Sequence, residues 1–145
     1  MKDSSLNKTF AFTALSAIPQ FGNKAIKSFY NWTQTQHELD WTNPVKIRKY
    51  IQQASNGYPN RRLKTPTTKE LIQHWNQNTK TYNRYHKNNI EIVPIWSEPY
   101  PKRMKGLPEA PVILYAKGNL KALQTNHSIA IIGTRNPTNL GRKLA

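Results

Sequence analysis

The chain has 145 residues and no cysteine, and its 22 Lys and Arg against 7 Asp and Glu leave a net charge of +15. That length suits one ordinary domain or two very small ones; the missing thiols exclude a disulfide framework and any thiolate metal site, and no apolar run approaches the ~18 residues of a membrane span. The excess charge is spread evenly, with 11 basic and 4 acidic side chains over residues 1–75 and 11 and 3 over residues 76–145, which favours a polyanionic partner over a small neutral ligand.

The apolar run from Phe10 to Ile18 is short, contains Thr13 and Ser16 and lacks a cleavage site, so it reads as a helix and not a signal peptide. The cytoplasm is the expected compartment. Residues 5–18 place Leu6, Phe10, Ala14 and Ala17 at helical spacing. Pro19-Gln-Phe-Gly22 breaks this helix, and Ile26, Phe29 and Tyr30 make the apolar stripe of a second. The break is similar to a helix–hairpin–helix turn, with Gln20 where the first glycine usually stands. A third helix is predicted from Pro44, capped by Asn43, with Ile47, Tyr50, Ile51 and Ala54 inward. Thr67-Thr-Lys-Glu70 is a capping box for a fourth, which runs through Leu71, Trp75, Tyr82 and Tyr85 to about Lys87. Asn78 interrupts that stripe, which suggests a helix only half buried there. Residues 1–87 thus read as a helical, SAM/helix–hairpin–helix-like domain.

At Asn88-Asn89 the period changes. Ile90 to Trp96 reads as a strand, with Pro94 marking an edge or a bulge. Pro111 to Tyr115 reads as a second, and Ile129 to Ile132 as a third. The third is apolar at every position, as in a parallel strand covered on both faces. It runs into Gly133-Thr134-Arg135, and Thr138 or Asn139 can cap a helix beginning near Gly141. A strand, a glycine turn and a helix start gather free N–H groups into an anion site, and Arg135 adds a planar fork suited to phosphate. The turn is neither a Walker A loop nor a dinucleotide fingerprint, since Gly133 lacks the required following residues and Arg135 stands at the second glycine position. On these residues alone, a buried strand with a surface turn and a solvated arginine stays open as the other reading. His37, His74, His86 and His127 form no His-x-x-x-His pair, which argues against zinc.

The order Tyr100-Pro101, Leu107, Pro111, Leu114-Tyr115, Gly118-Asn119-Leu120, Ile-Ala-Ile-Ile-Gly133-Thr134-Arg135 and Gly141 resembles the DprA/Smf family, DNA-processing proteins of natural transformation and competence. The resemblance covers residues ~88–145 by motif and the helical part by architecture alone. Leu140 stands where the family usually has an aromatic residue. The resemblance implies α+β overall, a small all-α domain followed over 88–145 by the beginning of an extended Rossmann-like domain. It implies single-stranded DNA binding through Gly133, Thr134, Arg135, Thr138 and Gly141, with no catalysis and no cofactor. Transfer of the strand to a RecA-type recombinase is expected of the complete family protein. Because a parallel crossover needs a further helix and strand, the chain reads as the front, truncated part of such a protein, monomeric and without the recombinase surface. Two other readings stand beside it: the remnant of a nucleotide-processing Rossmann enzyme such as a phosphoribohydrolase, and an inactive or interaction-only protein.

Overall fold

The computed structural model describes residues 2–19, 21–57, 65–127, 134 and 136–144. Helix α1 (Lys2–Ser16) has five consecutive buried residues, Ala11 to Leu15. A helix buried all round its middle turn is one that other elements surround, and α1 touches the helices Asn23–Thr33 and Thr68–Lys87 and the strand Ile113–Lys117. Two threonines tolerate this burial because their hydroxyls donate back along the helix, Thr9 Oγ1 to Ser5 O at 2.9 Å and Thr13 Oγ1 to Phe10 O at 2.7 Å. The inward face differs from the one expected. Leu6 is 54% exposed, while Phe12 and Leu15 are fully buried. The helix also ends two residues earlier than its apolar run; Ala17 and Ile18 close it with tighter bonds to Ala14 O and Leu15 O.

Buried Ile18 and Phe21 bracket the proline break, and Gly22 precedes α2 (Asn23–Thr33), which buries Ile26, Phe29, Tyr30 and Thr33. Asp40 then organises the next turn. Its carboxylate accepts from Thr42 N, Thr42 Oγ1 and, at 2.8 Å, Lys46 Nζ, and these bonds hold it well below the usual carboxylate range. Helix α3 (Pro44–Asn56) starts as its sequence dictates, with Asn43 accepting from Val45 N and Pro44 in the first turn. Helix α4 (Thr68–Lys87) has the full reciprocal capping box between Thr67 and Glu70. It ends at Asn88, and Asn89 takes a left-handed φ of 52° that turns the chain directly into the sheet.

Around Asn78 the helix is half buried, as expected, at Trp75, Tyr82 and Tyr85, but Asn78 itself does not interrupt the inward face: it is the most buried polar residue of α4, 4% exposed. Its Nδ2 donates to Phe10 O at 3.1 Å and Thr13 Oγ1 at 2.8 Å, so a polar link joins α4 to α1 inside the core.

Strand β1 (Ile90–Pro94) pairs antiparallel with β2 (Ile113–Lys117), in register from Ile90 opposite Lys117 to Pro94 opposite Ile113. The second strand lies two residues later than the apolar run suggests. Pro111 has no N–H to give a ladder, and its carbonyl accepts instead from Tyr100 Oη at 2.6 Å. Tyr100, Ala110 and Val112 bury the connection between the strands, which also carries the single turn α5 (Lys102–Lys105). After β2 come a 3₁₀ turn (Leu120–Gln124) and α6 (Asn139–Leu144).

One apolar cluster runs from the helices to the sheet. The Phe12 ring sits 5.6 Å from those of Phe29 and Trp41 and 5.3 Å from Trp96, just past β1, and Val93, Ile95, Tyr100 and Val112 belong to the same cluster. The described residues are therefore mixed α and β, as expected. The third strand, 129–132, lies outside them.

Candidate nucleic-acid interface

Of the five residues expected at the phosphate site, Gly133 and Arg135 lie outside the described residues. Thr134, Thr138 and Gly141 lie within them. Thr134 is exposed, and its hydroxyl accepts from Asn136 N at 3.3 Å. Thr138 caps α6, its Oγ1 accepting from Gly141 N at 3.1 Å and its carbonyl from Arg142 N at 3.0 Å. This decides between the two candidate caps and starts the helix at Asn139. Gly141 sits against its own cap, where an added Cβ would stand 3.4 Å from Thr138 Oγ1. Leu140 is 65% exposed.

The family-like motifs upstream have clear structural work. Gly118 has φ +105°, a conformation that a side chain rarely adopts, and Asn119 then caps the 3₁₀ turn by accepting from Lys121 N at 3.0 Å. Tyr100 ties down the strand connection, as described above. These residues shape the connections on either side of β2.

A group of cations gathers on α2 and α5. Helix α5 turns Met104 towards the core and leaves Lys102, Arg103 and Lys105 exposed. Lys27 of α2 comes close enough to feel one of them: partial burial, and then the charge of Lys105, lower the pKa of its ammonium. The two segments are tied by Asn23 Nδ2 donating to Glu109 O at 2.6 Å and by Lys24 paired with Glu109 at 2.8 Å. Like charges held together by fixed elements are relieved by an anion, which suits this face to a phosphate chain.

Two arrangements escaped the sequence. Lys8 Nζ lies among three rings, 4.5 Å from the centroid of Trp96, 5.3 Å from Tyr30 and 5.6 Å from Trp41. Burial lowers its pKa, while the ring faces favour the charged form. Nothing in the order of the residues announces that cage. Asn78 did leave a signal: with Leu71, Trp75, Tyr82 and Tyr85 it keeps a regular 3–4 spacing, so a polar residue there belongs on the buried face.

Among the described residues, no three His, Asp or Glu side chains gather as a metal site, and no helix is long and apolar enough to cross a membrane.

Residues 91–145 match the family model described as DNA recombination-mediator protein A. A curated relative, the DNA processing protein DprA of Bacillus subtilis (strain 168), is 38% identical over 60 residues, which is 41% of this chain and 20% of the relative. The match therefore spans about a fifth of that relative's length. No solved structure matches the chain. Over its segment 91–145, this chain is thus similar to the DprA family of DNA recombination mediators.

Proposed function

We propose that the chain binds single-stranded DNA in recombination and makes or breaks no covalent bond. One observation carries the reading: the segment that matches the mediator family holds Gly133-Thr134-Arg135 directly ahead of a threonine-capped helix. On this reading the amides after Gly133 hold one phosphate oxygen and the Arg135 guanidinium a neighbouring one. Thr134, Thr138 and Gly141 shape the turn. The cations of α2 and α5 extend the attraction along the strand. Residues 88–145 begin a Rossmann-like domain, residues 1–87 form the helical domain, and the strand passes to a RecA-type recombinase in the cytoplasm during natural transformation.

Fluorescence anisotropy with a single-stranded oligonucleotide tests this. Affinity is expected to fall with salt at a log–log slope of about −0.7 per phosphate contact, with little sequence preference. Arg135→Ala is expected to cost ~1.5–3 kcal/mol, the range for hydrogen bonds to a charged group. Arg135→Lys recovers part of this, because a point charge does not reproduce the fork. Lys121→Ala, an exposed lysine outside the turn, costs less. Equal losses for Arg135→Ala and Lys121→Ala would remove the turn from the DNA site, and a salt-independent affinity would remove the phosphate reading altogether.

A further inference from the structure

A cavity of about 330 Å³ opens between α1, α4 and β2. In a chain with 22 basic residues, none of the residues lining it is Lys, Arg, Asp or Glu. A site for phosphate would not be built this way. What lines it instead is aromatic surface and uncharged hydrogen-bonding groups, among them Tyr85, Tyr115, Asn78, Gln77 and Thr81.

The rings of Tyr85 and Tyr115 stand 4.9 Å apart at 49°, one from the helix and one from the strand, and make one wall. Tyr115 is 45% exposed despite its size. At the α1 side sits Asn78. Both of its amide hydrogens are committed, to Phe10 O and Thr13 Oγ1, so what it has left to offer is the acceptor Oδ1. Among the described residues the side chains of His74, Gln77 and Thr81 make no hydrogen bond and still border the cavity. The space lies at the small end of the ~300–1,000 Å³ typical of ligand sites, room for one flat heterocycle but not for a length of strand.

We propose that this cavity receives a single nucleobase, held against Tyr85 and Tyr115, with its polar edge meeting Asn78, Gln77 and Thr81. Single strands are commonly held in this divided way, with phosphates on cationic surface and unstacked bases on aromatic side chains beside neutral hydrogen-bonding groups. The inference rests on the single-strand reading above, and it adds a base contact away from the Gly133 turn. A base on a strand and a base on a free nucleotide have the same ring chemistry, so the test separates them.

Anisotropy is measured with a single-stranded oligonucleotide and with an abasic strand of the same length, and NMR follows the Tyr115 ring on adding a free deoxynucleoside monophosphate. The proteins are wild type, Tyr115→Leu, Gln77→Ala and Thr81→Val, with thermal unfolding as a check on each fold; Gln77 is exposed, so Gln77→Ala spares the core. Wild type is expected to bind the base-bearing strand about tenfold more tightly than the abasic one, in line with one base–aromatic stack. Tyr115→Leu is expected to erase most of that difference and leave the abasic affinity unchanged. If the Tyr115 ring of wild type responds to the mononucleotide and Gln77→Ala or Thr81→Val abolishes that response, the pocket takes free bases as well. If wild type binds both strands equally and the variants behave like it, the pocket is overturned while the strand-binding reading stands. If neither strand binds, the strand-binding reading fails, and an unmoved Tyr115 with mononucleotide overturns the pocket too.

Discussion

Asn78 shows how a single polar side chain can specify the packing of two helices. Burying an amide is costly unless it is hydrogen-bonded, and here Phe10 O and Thr13 Oγ1 of α1 supply its partners. Asn78→Leu keeps the branched shape but removes the donor that Phe10 O and Thr13 Oγ1 accept from, so it is expected to lower unfolding stability by about 1–3 kcal/mol in urea titrations. Adding Thr13→Val removes the other partner and should restore part of the loss, a coupling that independent sites would not display. Tyr115 makes a second prediction at this scale. Burial, then the neighbouring Tyr85, push its hydroxyl up to about 12 from the ordinary 10.0. The native state therefore keeps a proton that the unfolded chain loses, and this contribution to stability is complete below pH 10.0 and disappears as pH rises through about 12. Tyr115→Phe is expected to flatten that alkaline decline in thermal unfolding; an unchanged decline would mean that the hydroxyl is not desolvated.

The elements begin and end where local chemistry permits. Thr67 and Glu70 satisfy each other's backbone donors at the start of α4, so Thr67→Ala is expected to cost about 1 kcal/mol, measured by denaturant unfolding. Gly118 offers a purer test of backbone strain. Its φ is +105°, yet an added Cβ would meet nothing within 4 Å. Gly118→Ala is therefore expected to destabilise by more than about 1 kcal/mol through conformation alone, with no steric contact involved. A neutral outcome would show that the turn after β2 relaxes freely. Strand position follows similar rules. Pro111 is apolar and looks like part of β2, but without an N–H it stays outside the ladder, and Tyr100 takes its carbonyl.

At the level of the whole molecule, charge and packing act in opposite directions. The core is continuous from Phe12 and Phe29 in the helices to Trp96 and Val112 beside the sheet, whereas the surface carries +15. Among the described residues two ion pairs form, Lys24–Glu109 and Lys46–Asp40, both exposed, and such pairs add little stability. Repulsion should therefore dominate the electrostatics of folding. Added sodium chloride, which shortens the screening length from about 10 Å at 0.1 M to 3 Å at 1 M, is expected to raise the Tm in calorimetry. A Tm that falls with salt would mean that attractive pairs outweigh the net charge. The same salt is expected to weaken single-strand binding, so fold and function respond to screening with opposite sign.

The sequence by itself determined what depends on near neighbours along the chain. Asn43 with Pro44, Thr67 with Glu70 and Thr138 ahead of α6 all cap helices within three residues of themselves, so their meaning survives without the fold. The resemblance to the DprA family was legible for the same reason, since Tyr100-Pro101, Gly118-Asn119 and Gly133-Thr134-Arg135 are short and ordered. What the tertiary structure decided depends on residues far apart. Asn78 meets Phe10 across 68 positions, and Tyr85 faces Tyr115 only because α4 leads into β1 and β1 pairs with β2. The Lys8 cage likewise gathers rings from α2, the loop after it and the end of β1. Periodicity tells which face of an element is buried, but which element covers that face is settled only when distant segments compete for the same apolar surface.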